Sequence, residues 1–188
     1  EAKGSSAAVP QRNVGVIPAR YDSTRLPGKP LLDIHGKAMI LHVVDRALEC
    51  GAETITVATD DERIRDVALA SEVEVVMTSE SHHSGTDRLA EVVSLMQWSD
   101  DDVVVNLQGD EPLMPPAVLR QVAVNLDRHA VASIATLCTP IESYEEMLNP
   151  NAAGIDVSSV DLWVCVPANR ADQHVRKFGV CTDDLYEI

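Results

Sequence analysis

Residues 15–32 read G-V-I-P-A-R-Y-D-S-T-R-L-P-G-K-P-L-L. A short apolar run, 14–17, stops at Pro18, and a loop follows that carries three cations, Arg20, Arg25 and Lys29, among small and turn-forming residues. Pro18, Pro27, Gly28 and Pro30 fit no regular element, so the stretch reads as a strand that ends in a long cationic loop with exposed backbone. A triphosphate needs cations and free N–H donors at close range. Gly28 lets backbone approach an anion with no Cβ in the way. Arginine grips phosphate oxygens through paired hydrogen bonds, and lysine acts as a point charge. The loop is neither a G-x-x-x-x-G-K-[ST] phosphate loop nor a G-x-G-x-x-G dinucleotide turn. The plainer alternative is a solvated basic turn.

Outward from this stretch, strand and helix signals alternate. Ile40, Val43, Val44 and Ala47 recur at helical spacing and Gly51 stands where that helix would stop. Residues 54–59 (T-I-T-V-A-T) are short and β-branched, a strand. Ile64, Val67 and Ala68 predict a helix behind the acidic start at 60–62, where carboxylates suit a helix N-terminus. Residues 74–78 predict a strand, and Leu89, Val92, Val93 and Met96 a helix. Residues 103–107 predict a buried strand. Leu119, Val122, Ala123 and Leu126 predict a helix with Pro116 in its first turn, and residues 133–139 a fifth strand. Such alternation predicts an α/β fold, a mostly parallel sheet covered on both faces, with right-handed crossovers and ligands at the carboxyl ends of the strands. Three loops then share one edge: 18–30, 78–88 and 108–116.

The second and third loops carry their own chemistry. In N-L-Q-G-D-E-P (106–112), Asp110 follows a buried strand and a glycine. A carboxylate there either holds Mg²⁺, a hard cation that prefers oxygen, or caps the following turn. Glu111 reads as structural, held near Pro112. In the loop at 81–89, Ser84, Gly85 and Thr86 offer N–H donors, and Thr86 or Asp87 is the expected helix N-cap. His82 and His83 read as loop surface, since no second pair stands at zinc-site spacing.

The 188 residues are enough for one good core, so a single domain over 13–188 is expected behind a flexible extension at 1–12 (EAKGSSAAVPQR), which has no signal-peptide core. Lys and Arg number 15 against 30 Asp and Glu, a formal charge of −15, which argues against non-specific nucleic-acid binding. An acidic chain that binds an anion must concentrate its few cations or recruit a divalent metal. No run approaches the ~20 apolar residues of a membrane span. Cys50, Cys138, Cys165 and Cys181 are scattered without ligand spacing and read as thiols of a reducing cytoplasm. Trp98 reads as a capping hydrophobe and the acidic triplet 100–102 as a solvated turn. No G-x-S-x-G elbow supports nucleophilic catalysis.

P-A-R-Y-D-S-T-R-L-P-G-K-P-L-L (18–32) resembles the signature loop of the sugar nucleotidyltransferases, and most nearly that of the 3-deoxy-manno-octulosonate cytidylyltransferases. S-H-H-S-G-T-D-R-L (81–89) and V-N-L-Q-G-D-E-P-L-M-P (105–115) extend the resemblance, which covers about residues 13–151. It implies a three-layer, Rossmann-like nucleotide-diphospho-sugar transferase fold. It implies that CTP and an eight-carbon 3-deoxy sugar acid give a CMP-sugar and pyrophosphate, for lipopolysaccharide biosynthesis. It further implies a homodimer with Mg²⁺, and the CTP requirement joins the free cysteines and the missing signal core in pointing to the cytoplasm. Arg20, Arg25 and Lys29 would hold the triphosphate and Asp110 the metal. Pro18, Ala19 and Gly109 would lie against CTP or the sugar, and Gln108 beside the ribose and sugar. Ser84, Gly85 and Thr86 would read the cytosine, largely through backbone atoms. Arg88 would face the substrate carboxylate or pair near Asp87.

After L-N-P-N (148–151) the resemblance implies a substrate-binding and dimer-forming segment, which here reads as shortened or incomplete. H-V-R-K-F-G-V (174–180) is faintly similar to a histidine-containing strand near the sugar. In G-V-C-T-D-D-L (179–185), Cys181 stands where the family has a second metal carboxylate, a soft thiol ill-suited to Mg²⁺, with Asp183 nearby at the wrong spacing. A sialic-acid cytidylyltransferase, another nucleotidyltransferase, or an inactive nucleotide-binding homologue are the alternative functions.

Overall fold

The computed structural model describes residues 12–22, 26–82, 84–129, 132–138 and 142–143, with the backbone of three strands beyond them. The chain divides into two compact units, 1–123 and 124–188.

The first unit is built on a four-stranded sheet in the order β5-β4-β1-β6, formed by β1 (Asn13–Ala19), β4 (Thr54–Thr59), β5 (Glu74–Met77) and β6 (Val103–Asn106), every pairing parallel. Helices α1 (Met39–Leu48), α2 (Glu62–Ala68) and α3 (Gly85–Met96) fall between the strands as the apolar spacing predicts, and α4 (Pro116–Arg128) follows them and runs across the boundary at 123. The register sets Val16, Ala58, Val76 and Val104 on one face. There Val92, Leu89 and Met96 of α3 and the ring of Trp98 close a cluster with them. On the opposite face Ile17, Ile55 and Val57 are buried as well. A sheet apolar on both faces needs helices on both, which is why these strands read as nearly continuous apolar runs.

The chain adds β4 and β5 to one side of β1 and then returns to place β6 on the other. The gap between the exits of β1 and β6 is therefore the point where strand order reverses, the usual ligand crevice of such sheets.

Several local features differ from the sequence reading. β1 runs through Pro18 to Ala19. The β1–β6 ladder ends at Val16 and Asn106, so the missing N–H of Pro18 interrupts no ladder there, and Gly109 N–H donates to the Pro18 carbonyl at 3.2 Å. A small hairpin, β2 (Asp33–Ile34) and β3 (Lys37–Ala38), turns through His35 and Gly36, both at positive φ, as a two-residue turn requires. The expected fifth strand is not formed over residues 133–138; Ile134 and Leu137 there are exposed, and a strand without a ladder partner has no reason to persist. The acidic triplet is not a simple solvated turn. The Asp102 carboxylate is buried and accepts from the Arg12 guanidinium at 2.7 Å, so Arg12, counted with the extension, is anchored; residues 1–11 lie outside the described residues.

The second unit holds an antiparallel sheet, β7 (Gly154–Val157), β8 (Asp161–Cys165) and β9 (Val175–Gly179), in that order. Of the faint histidine-strand match at 174–180, residues 175–179 form a strand, and His174 lies outside the described residues.

Candidate active site

The first loop is shaped by two closures. Gly28 N–H donates to the Tyr21 carbonyl at 2.8 Å, pinching the base of the loop. Gly28 itself sits at φ +69, and a Cβ there would meet the Tyr21 ring at 3.0 Å, so glycine is required. Lys29, Pro30 and Leu31 then form a single 3-10 turn whose Pro30 is buried, fixing where the Lys29 side chain leaves the backbone.

The third loop is held against the first. Gly109 approaches so closely that a Cβ would lie 2.8 Å from the Pro18 carbonyl oxygen. That contact brings Gln108, Gly109 and Asp110 beside Pro18, Ala19 and Arg20. Lys29 Nζ donates to Asp110 Oδ2 at 2.8 Å across the gap. Gln108 Nε2 donates to Asn106 Oδ1 at 3.1 Å, which orients its amide.

The second loop supplies a helix start. The N-cap of α3 is Ser84, in place of the expected Thr86 or Asp87. Ser84 Oγ accepts from Asp87 N–H and Asp87 Oδ2 accepts from Ser84 N–H, both at 3.1 Å, a reciprocal capping box. The serine wins because it alone holds extended backbone with a partner three residues on. Gly85, the first helical residue, thereby reaches the Gln108 amide, bringing the positive end of a twelve-residue helix to the crevice.

Together these pieces enclose a cavity of about 170 Å³ lined by Pro18, Ala19, Arg20, Lys29, Pro30, Gly85, Gln108, Gly109 and Asp110. Two side-chain cations, one carboxylate, one amide and a helix N-terminus thus converge at the β1–β6 switch point. Glu111 is half-buried beside it, and burial, with the Asp110 charge second, raises its carboxyl above the ordinary range. No ion pair to Arg20 is present among the described residues.

Eight of the residues expected from sequence line this cavity. Pro30 joins them; its signal was its place inside the quoted loop. Three expected residues do not line it. Ser84 is engaged in the cap, and Thr86 is exposed in the first turn of α3. Arg88 turns into the core, fully buried, donating to Asp60 Oδ2 at 2.5 Å and to the Thr78 hydroxyl. A guanidinium so committed ties α3 to the ends of β4 and β5. His82 pairs with Glu91 at 2.5 Å. Arg25, His83 and Asp183 lie outside the described residues.

The donor set bears on Mg²⁺. Among the described residues no cluster of three or more His, Cys, Asp or Glu could hold a metal. Among the residues lining the cavity Asp110 supplies the carboxylate, with its side chain 51% exposed. Mg²⁺ is ordinarily held by one or two carboxylates with substrate phosphates completing its shell, so the residues present fit it as a nucleotide-borne ion.

A family model described as Cytidylyltransferase matches residues 14–159, most of the chain. The chain belongs to the cytidylyltransferase family. Among family members it is 59% identical over 145 residues to a 3-deoxy-manno-octulosonate cytidylyltransferase of Thioalkalivibrio sulfidiphilus, covering 77% of this chain and 58% of that protein. It is 56% identical over 167 residues to the like-named protein of Aeromonas salmonicida, covering 84% and 64%. The cytidylyltransferase sequence here therefore spans about three fifths of the curated relatives it matches. A solved structure of CMP:2-keto-3-deoxy-manno-octonic acid synthetase complexed with CTP superposes with a TM-score of 0.74 at 38% identity, covering 90% of this chain and 72% of that one. A nucleotidyl transferase from Methanothermobacter thermautotroptrophicus, 22% identical with a TM-score of 0.53 over 61% of this chain and 58% of that one, shares the fold. Among the described residues no helix is long and apolar enough to cross a membrane.

Proposed function

We propose that this cytidylyltransferase transfers a cytidylyl group from CTP to 3-deoxy-D-manno-octulosonate, giving CMP-3-deoxy-D-manno-octulosonate and pyrophosphate. One observation carries the reading: Arg20, Lys29 and Asp110 line a single cavity at the reversal point of the sheet in a chain of this family. The cavity is smaller than the roughly 300–1,000 Å³ that encloses a whole small ligand, so it suits the phosphate end of the nucleotide.

The sugar's anomeric hydroxyl oxygen attacks the α-phosphorus in line and gives up its proton to solvent, the new O–P bond forms, the bond from the α-phosphorus to the bridging oxygen of the β-phosphate breaks, and pyrophosphate leaves with the electron pair. Such chemistry asks the protein mainly for positioning and for charge where charge develops. Arg20 and Lys29 hold the triphosphate and stabilise the leaving pyrophosphate. N–H groups at Gly85 and the start of α3 face the nucleotide, and Gln108 lies beside the ribose and the sugar. Mg²⁺ held by Asp110 would supply charge neutralisation at the phosphates. Arg25 would add a third cation. The protein works as a cytoplasmic homodimer that supplies lipopolysaccharide biosynthesis.

The test is a turnover assay with CTP, MgCl₂ and a panel of sugar acids. Pyrophosphate release with 3-deoxy-D-manno-octulosonate, well above that with sialic acid, is the expected result. Release only with sialic acid replaces the acceptor. CTP binding by calorimetry with no release from any acceptor reduces the protein to a nucleotide-binding homologue.

A further inference from the structure

The cationic loop is steadied from outside the cavity. Arg63 lies in the first turn of α2, and its guanidinium stands 3.3 Å from the centroid of the Tyr21 ring. That is a stacked cation–π contact. The ring also packs against Gly28, the residue that a Cβ would push away from it. Gly28 in turn immediately precedes Lys29 and starts its 3-10 turn.

The guanidinium is also bonded at the start of its own helix. Arg63 Nε and Nη2 donate to the two oxygens of Asp61 at 3.0 and 2.6 Å. Asp61 is the N-cap of α2, accepting from Arg63 N–H at 2.9 Å, and its own N–H donates to Thr59 Oγ1 at 3.2 Å. Thr59 is buried at the end of β4. An unbroken run of contacts thus leads from the rigid sheet through Asp61, Arg63, Tyr21 and Gly28 to Lys29.

We propose that Arg63 and Tyr21 are positioning residues for triphosphate binding: the stacked pair fixes the base of the loop, and so sets where Lys29 meets the nucleotide. Neither side chain lines the cavity. The proposal rests on the nucleotide reading of the pocket. It goes beyond it by assigning a function to two residues outside the pocket.

Two measurements on the full chain test it. The first needs no ligand: hydrogen exchange of the Gly28 amide, which is bonded to the Tyr21 carbonyl. In Arg63→Met and Tyr21→Ala that amide exchanges about two- to fivefold faster while Val57 in the sheet is unchanged, because local opening reports local contacts. The second is calorimetric titration with CTP and MgCl₂. Arg63→Met and Tyr21→Ala weaken CTP by about two- to fivefold, the range one exposed cation–π contact supports. Tyr21→Phe, which keeps the ring, restores affinity lost in Tyr21→Ala. Wild-type exchange at Gly28 in Arg63→Met overturns the proposal. So does weakened CTP with unchanged exchange, which would make Arg63 a direct ligand contact. If the unaltered protein binds no CTP, the nucleotide reading fails, and the exchange result alone then decides whether the pair holds the loop.

Discussion

Lys29 Nζ and Asp110 Oδ2 lie 2.8 Å apart, joining loops that are 81 positions distant in the chain. The pair sets a cation and a carboxylate of the cavity against each other before any nucleotide arrives. Both side chains are substantially exposed. An exposed pair of this kind contributes about 1 kcal/mol or less to stability, so its value to the protein is not the fold.

That separation of roles gives the first prediction. Lys29→Ala and Arg20→Ala each lose about 100-fold or more in turnover with CTP, the scale of removing one preorganised charge contact. Thermal melting stays close to that of the unaltered protein. Near-normal turnover in both variants would remove the loop from the mechanism.

Gly109 gives a second, structural prediction. A Cβ at this position would sit 2.8 Å from the Pro18 carbonyl oxygen and 3.2 Å from the Ala19 Cβ. Backbone cannot yield as a flexible side chain does, so Gly109→Ala must push the β6 exit away from β1. We expect about 1–3 kcal/mol of destabilisation, as overpacking of tight sites gives. CTP affinity falls with it, because Asp110 moves with Gly109. Unchanged melting and unchanged CTP binding would show that the two exits are not locked together.

Much of this site was legible before any coordinates. The strand–helix alternation fixed which loops share an edge, and the three loops it chose supply the cavity. What was not legible depends on partners far away in the chain. Arg88 reads either as facing the substrate carboxylate or as pairing near Asp87, because it lies just inside a helix beside a glycine-bearing loop. Its burial is decided by Asp60 and Thr78, which no local pattern connects to it. The Ser84 cap was missed because three capping residues crowd one turn and only the backbone conformation selects among them. Asp102 looks like one more solvated acid until Arg12, 90 positions away, arrives beside it.

The Arg12–Asp102 pair carries a pH prediction. Hydrogen bonding to Arg12 holds the Asp102 carboxyl below its ordinary 3.8 in the folded protein. The unfolded chain then takes up the proton first as pH falls, so the pair's contribution to stability is complete above about 4 and is lost as pH drops through the lowered value. Asp102→Asn should therefore melt below the unaltered protein at pH 7. The gap should narrow progressively in acid below the 3.8 reference value. A gap that stays constant from pH 7 down to pH 2 would mean that the carboxylate's charge has no part in anchoring β1.

Arg88 separates folding from chemistry. Its guanidinium is fully buried, two of its nitrogens are bonded to Asp60 and Thr78, and Nε has no partner among the described residues. Removing it strands the Asp60 carboxylate, and breaking a buried pair from one side costs about 3–5 kcal/mol. Arg88→Met should accordingly lower the denaturation midpoint sharply. The double variant Arg88→Met with Asp60→Asn should recover part of that loss, since no unpaired charge remains. A residue that served the substrate carboxylate directly would behave otherwise: Arg88→Met would fold with unchanged stability, and the KM for the sugar acid would rise with no rescue from position 60. Equilibrium unfolding of the two variants, read beside their acceptor kinetics, tells these roles apart.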